Sequence, residues 1–207
     1  MTSKKDILHL LALYNNHFPN EVAGVHLFSD YLSRTGADCL INRKNFDGHI
    51  TTSAFIIDTA TSEMLLLRHK SLNRWLQPGG HVEEQDQSLL HSATREAVEE
   101  TGISAEQLQH YPIHDIAEVP FDIDSHYIPT NPKKAEDGHY HHDLRYLFVY
   151  NGNRENTYDP DEATGLRWVS FDELMSDDTF AAVVMKIRDL SLTLSEGATL
   201  YPNFDYS

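Results

Sequence analysis

The stretch GGHVEEQDQSLLHSATREAVEETGI, Gly79 to Ile103, decides how the rest of the chain is read. Its second half has the marks of a helix. Asp86 or Ser88 is suited to cap the start, and Gly102 to close the end. Leu89, Ala93 and Ala97 are apolar or small and mark the face turned to a core. Glu96 and Glu100 are four residues apart, and Glu99 follows Glu96 by three, so all three lie on one side. Like charges at such spacing oppose a helix by about 0.2–0.5 kcal/mol per pair, and something must compensate. Arg95, one turn before Glu99, can orient or neutralise one carboxylate. A hard divalent cation such as Mg²⁺ takes carboxylate oxygens and would turn the repulsion into attraction. The plainer alternative is a solvated acidic helix face.

The flanking segments give this helix its setting. Upstream, HITTSAFIID and MLLLRH read as two strands of a hairpin with a turn at Thr59 to Ser62. WLQPGGHVEE follows, where Pro78-Gly79-Gly80 forces a tight turn. Downstream, strands are expected over Ile113 to Ile123, Leu144 to Tyr150 and Leu166 to Val169. The polar run PTNPKKAEDGHYHH between the first two of these is expected to be a surface loop. Short helices follow from Phe171 to Met175 and Thr179 to Leu194, the latter burying Phe180, Val183, Val184, Ile187 and Leu190. Near the N-terminus, Ile7, Leu8, Leu11 and Tyr14, then Val22, Val25, Phe28 and Leu32, mark two helical faces separated by Pro19. Residues 1–47 therefore read as an N-terminal helical extension.

The run from Gly79 to Ile103 resembles the signature of the Nudix hydrolases, in which a glycine precedes Arg-Glu-aliphatic-x-Glu-Glu-x-Gly-aliphatic. Gly80, Arg95, Glu96, Ala97, Glu99, Glu100, Gly102 and Ile103 carry the match, with one extra residue between Gly80 and Arg95. Asp86 stands where the family has glutamate when counted forward from Gly80, and Gln87 when counted back from Arg95. The resemblance implies an α/β fold, an α/β/α sandwich around a mixed sheet, with residues 48–207 as the hydrolase domain. It implies that Glu99 and Glu100 ligate Mg²⁺ or Mn²⁺, that Glu96 ligates or holds metal waters, and that a backbone carbonyl at Gly79 or Gly80 completes the shell. Arg95 would be a structural partner of the glutamates. The implied reaction is cleavage of the diphosphate bond in a nucleoside diphosphate linked to another group. Adjoining phosphates repel a nucleophile, and metal ions offset that charge and lower the pKa of a bound water. Glu162, six residues before Trp168, is the candidate general base, with a surface loop acid as the alternative.

Histidine is the unusual residue, with 13 in the chain. His81 directly follows the glycines. His139 and His141 point the same way if their segment is extended, and Asp124 and His126 share that alternation. The stretches Gly48–Thr51, Leu76–His81, His126–Pro129 and His139–Tyr146 are similar to a wider pattern in some Nudix proteins. Three readings stay open for His81, His126, His139 and His141: a Zn²⁺ site, since zinc favours imidazole; contacts to substrate phosphates or proton tuning near neutral pH; or unconnected loop histidines. Arg68 and Arg145 are candidate phosphate contacts, and Tyr140, Tyr127 and Trp75 candidate stacking surfaces.

Composition narrows the classes. The net charge of −16 opposes non-specific binding to nucleic acid or to an anionic membrane. The expected partner is a small nucleotide-type molecule, with a homodimer left open. No signal peptide or spanning apolar run is read, so a cytoplasmic location is expected. Cys39 is the single cysteine and reads as a small buried residue. Two rivals to the hydrolase remain: a non-catalytic Nudix-fold nucleotide sensor, and a zinc-dependent hydrolase using the histidines.

Overall fold

A computed structural model describes residues 2–115, 117–132, 135–154 and 157–195, with side chains to residue 190. Two compact units divide the chain, 1–168 and 169–207.

In the first unit the N-terminal helices are α1 (Lys4–His17) and α2 (His26–Arg34). Ser3 and Asp6 form a reciprocal capping box that starts α1. Ile7, Leu11 and Tyr14 are buried as expected, whereas Leu8 and Val22 face solvent. Tyr31 of α2 donates its hydroxyl to Gly48 O at 2.8 Å, which fixes the chain where it enters the sheet. Cys39 lies in a short 3₁₀ turn and is exposed, contrary to expectation.

The sheet is mixed and has eight strands among the described residues. Its centre is β1 (His49–Asp58), paired in parallel with β7 (His139–Tyr150) along nine positions from His49↔His141 to Ile57↔Val149. β1 is nearly all buried, which explains its run of β-branched and aromatic residues. The expected hairpin is present: β1 meets β2 (Glu63–His69) at Ile57↔Met64. β3 (Arg74–Leu76) pairs with β2, and β4 (Gly79–His81) pairs antiparallel with Thr51 to Ser53 of β1. β5 (Leu108–His110) and β6 (Asp122–Ile128) both pair with β7, and β8 (Ala163–Ser170) with β2. Two strand expectations need correction. Residues 113–121 are irregular apart from residue 116, which lies outside the description, and the strand begins only at Asp122. The histidines of GHYHH belong to strand β7, not to a surface loop; β6 lies alongside and supplies the hydrogen bonds that a loop would take from water.

Helix α3 (Leu89–Thr101) covers one face of β1. Ser88 caps it, and Gly102 closes it with φ of +64°. Ala93 and Ala97 are fully buried, and Thr52 donates to Ser92 Oγ at 2.9 Å across the contact. The second unit holds α4 (Phe171–Leu174) and α5 (Ala181–Ser195). Phe180, Val183, Val184 and Ile187 are buried, and Leu190 half-buried. Residues 196–207 lie outside the described residues.

Two glycines let α3 and β1 close on the turn between them. A Cβ on Gly79 would stand 2.4 Å from Ser53 Cβ and 2.5 Å from Thr52 O, and one on Gly80 would stand 2.7 Å from the Glu96 carboxyl group. Gly79→Ala therefore meets fixed backbone and should cost about 1–3 kcal/mol in urea denaturation. Stability equal to that of the unaltered protein would show that the turn is looser than this packing implies.

Candidate active site

Arg95 is the centre of the polar cluster on α3. Its Nε and Nη2 reach Asp86 Oδ1 and Oδ2, each at 3.0 Å, in a two-pronged contact. Nη1 reaches Glu96 Oε1 and Glu99 Oε2, also at 3.0 Å, and Nη2 donates to His81 O at 2.9 Å. Asp86 is fully buried and also accepts from Glu83 N. It is thus the anchor of Arg95, and Ser88 is the helix cap. Burial alone would raise the Asp86 pKa, but Arg95 and the Glu83 amide hold it at about 2. Removing Asp86 strips two guanidinium donors of their buried acceptor, although Glu96 and Glu99 still touch Arg95. Asp86→Ala should cost about 1–3 kcal/mol by thermal or urea unfolding.

The three glutamates differ in setting. Glu99 is exposed, touching Arg95 from outside. Glu96 is turned inward against Gly80, and burial pushes its pKa up to about 7 despite Arg95. Glu100 accepts the Gly79 amide through Oε2 at 2.8 Å. Burial raises it to about 8, against that amide, with the charges of Glu96, Glu162 and Asp159 adding to the rise. Glu162 itself is exposed on the loop before β8, and the Asp159 amide of that loop bonds to Glu100 O. Glu96 and Glu100 are therefore gathered at the Pro78-Gly79-Gly80 turn, while Glu99 and Glu162 face solvent. Inward-facing oxygen donors with raised pKa values fit a hard divalent cation, which would favour their ionised forms.

The opposite face of the sheet carries the histidines. Strand alternation sends His49, Thr51 and Ser53 of β1 to the same side as His139, His141, Asp143 and Arg145 of β7. Asp143 accepts from Ser53 Oγ at 2.7 Å and Thr51 Oγ1 at 3.3 Å. His49, His81 and His141 come together, with ring centroids 4.6 to 5.4 Å apart. His139 lies against His49 at 4.9 Å, and His126 against His141 at 5.7 Å. His49 was not singled out from the sequence. Its only signal was its place in the GHIT run, because its neighbours come from β4 and β7. Burial lowers His141 to about 2 and His49 to about 4, with nearby imidazoles adding to both.

The remaining candidates are placed apart in chemistry. Arg145 is buried, with Asp122 at 3.1 Å, Asp124 at 3.0 Å and Asp143 at 3.8 Å around its guanidinium. Arg68 is exposed and donates to Asn73 Oδ1 at 3.1 Å. Tyr140 lies on the other side of β7 from His139 and His141, edge-on to exposed Tyr127 at 5.5 Å. Trp75 is half-buried, with the Arg167 guanidinium 4.6 Å over its ring.

A family model described as the NUDIX domain matches residues 48–187. The chain belongs to this family. It is accordingly an enzyme of the Nudix hydrolase class, which acts on pyrophosphate bonds and generally uses divalent metals. Residues 1–47 precede the match. No curated protein matches the sequence significantly. Among solved structures, the Nudix chain is similar to a NUDIX-family hydrolase from Clostridium perfringens, at 24% identity over 70% of this chain and 97% of that one, TM-score 0.51. It is similar to the E. coli dihydroneopterin triphosphate pyrophosphohydrolase, at 16% identity over 70% and 95%, TM-score 0.52. A C. elegans Ap4A hydrolase binary complex aligns at 19% identity over 72% and 98%, TM-score 0.50. At these identities the likeness is one of fold.

The shifted groups set the pH response of the metal-free Nudix chain. Raised carboxyls bind protons more tightly when folded, so Glu96 and Glu100 contribute stability that is present below about pH 4.5 and lost as pH rises through 7 to 8. His49, His110, His141 and His142 have lowered folded pKa values. Their contribution is present above about pH 6.5 and lost as pH falls toward 4 and below. The four imidazoles outnumber the two carboxyls, so acid should win and the Tm in chelator should peak near neutrality. Glu100→Gln should flatten the alkaline limb. A Tm that rises steadily from pH 7 to 8.5 would contradict the assignment of the raised pair.

Proposed function

We propose that this protein is a divalent-metal-dependent hydrolase that cleaves the diphosphate bond of a nucleoside diphosphate linked to another group. The observation that carries this is the set of inward carboxyls, Glu96 and Glu100, pressed on the Gly79–Gly80 turn with Glu99 beside them and Arg95 bridging. Glu96, Glu99 and Glu100 would hold Mg²⁺ or Mn²⁺, with backbone oxygen at Gly80. A cation bound there neutralises phosphate charge and lowers the pKa of a water.

The chain's own groups do the rest. Arg95, locked by buried Asp86, holds Glu96 and Glu99 at fixed positions, so little reorganisation is needed as charge develops. The Gly79 amide fixes one oxygen of Glu100, leaving the other for the ligand. Glu162 is the proposed base: its exposed carboxylate takes the proton of the attacking water, on a loop bonded to the end of α3. Tyr140 with Tyr127 offers an exposed aromatic surface for a base, and Arg68 an exposed cation for a phosphate.

The test is a panel of nucleotide pyrophosphates, Ap4A included, incubated with Mg²⁺ or Mn²⁺ and resolved by chromatography. Turnover should require the metal. Glu100→Gln should lower kcat/KM by about 100-fold or more, while its Tm at pH 8 stays level or rises, because the neutral amide replaces a buried carboxylate. Full activity in that variant would remove Glu100 from the site. Nucleotide binding without any turnover across the panel would turn the reading toward a sensor.

A further inference from the structure

We propose that His49, His81 and His141 form a second metal site, on the sheet face away from α3, which takes one transition-metal ion of the Zn²⁺ type. One ring nitrogen from each lies within 4.8 Å of the other two, and no other such group of histidine, cysteine and acidic residues occurs among the described residues. The site is built by tertiary pairing. His49 and His141 are direct partners in the parallel β1–β7 ladder, and His81 is opposite Thr51 in the β1–β4 ladder. Three neighbouring strands thus each contribute one imidazole to one face.

The environment suits an ion better than it suits packing alone. His49 is 1% exposed, and its Nε2 is buried without a hydrogen-bond partner. A buried ring nitrogen left unmatched is costly, and a metal ion matches it. His49 Nδ1 lies 3.5 Å from Asn45 O, so the ring nitrogen with a nearby acceptor is Nδ1 and the bare one is Nε2. His139 shows the same arrangement more strongly. Its Nδ1 donates to Asp137 O at 2.7 Å, which in the neutral ring makes Nε2 an acceptor; Nε2 is hydrogen-bonded to His141 Nε2 at 3.2 Å, a contact that an ion held between the two rings would replace. Backbone carbonyls on the far nitrogen are how metal-binding imidazoles are oriented. Two nitrogens on one tetrahedral Zn²⁺ stand about 3.3 Å apart, given Zn–N bonds of about 2.0–2.1 Å. The His139–His141 separation already has that length, which makes His139 the fourth candidate ligand. Rotation of His81 and His141, both half-buried, can close the looser spacing of the triad.

Ligand type separates this site from the glutamates. Imidazoles without carboxylate select zinc, cobalt, nickel or copper, whereas Mg²⁺ and Mn²⁺ prefer oxygen. The two sites meet at adjacent residues: Gly80 faces Glu96, and the His81 carbonyl accepts from Arg95. An ion on the His81 ring would therefore pin the turn on which Glu96 and Glu100 rest.

Co²⁺ serves as the probe. The full chain, stripped with chelator and reloaded, should retain one equivalent of Co²⁺ after desalting, with the visible absorption bands of a four- or five-coordinate ion. Glu99→Gln should keep both the equivalent and the bands. His81→Gln and His141→Gln, checked for folding by circular dichroism, should lose them. X-ray absorption on the Zn²⁺-loaded unaltered chain needs no variant and should show nitrogen neighbours with imidazole outer-shell scattering. An oxygen-only shell, no retained metal, or retention that follows Glu99 rather than the histidines would overturn the proposal. Hydrolysis is scored separately, so a failed hydrolase reading leaves this result interpretable.

Discussion

The grip of Arg95 on Asp86 is the contact on which the rest of the acidic face depends. A guanidinium with most of its surface buried must be matched, and the fully buried Asp86 matches two of its donors at once. With those prongs taken, the remaining donors have fixed directions. They meet Glu96, Glu99 and the His81 carbonyl. One side chain thereby ties the loop before α3, the helix and strand β4 into a single piece.

That piece is tight because of what is missing at Gly79 and Gly80. Without Cβ atoms there, the turn lies flat on Thr52 and Ser53 on one side and on the Glu96 carboxyl group on the other. The carboxyls then lose water without gaining enough positive charge. Arg95 is shared among three acids, and Glu96 and Glu100 keep raised pKa values. Such a cluster is unfavourable on its own and becomes favourable with a divalent cation. Like charge in the REAVEETG helix is therefore at odds with helix stability alone and fits the proposed cation site.

The two faces of β1 have divided the chemistry. One face packs Ala93, Ala97 and Ser92 of α3 against the strand, and Glu96 and Glu100, one and two turns on from Ser92, are thereby held against the glycine turn. The other face is polar across four strands. It runs from Arg145 with its aspartates, through Asp143 with Thr51 and Ser53, to the histidines. Period-two alternation along β1 and β7 in register is enough to sort them.

Much of this was legible in the chain. The helix with its caps, the glycine turn, the carboxylate side and the hairpin follow from local spacing, because each depends on residues a few positions apart. The family pattern also rests on a contiguous run. Less legible was anything set by pairing between distant segments. GHYHH is polar and looks like loop, yet it is strand because β6 lies alongside. Cys39 looked like core by type and is exposed in a short turn. His49 was marked only by its place in the GHIT run. What the sequence by itself determined is the acidic helix and its glycine turn, since helical periodicity and turn sterics act over a few residues, together with the resemblance to the Nudix signature, which rests on a contiguous run. What only the tertiary structure decided is the histidine cluster and the burial that separates Glu96 and Glu100 from Glu99, because strand register and desolvation arise only when remote segments meet.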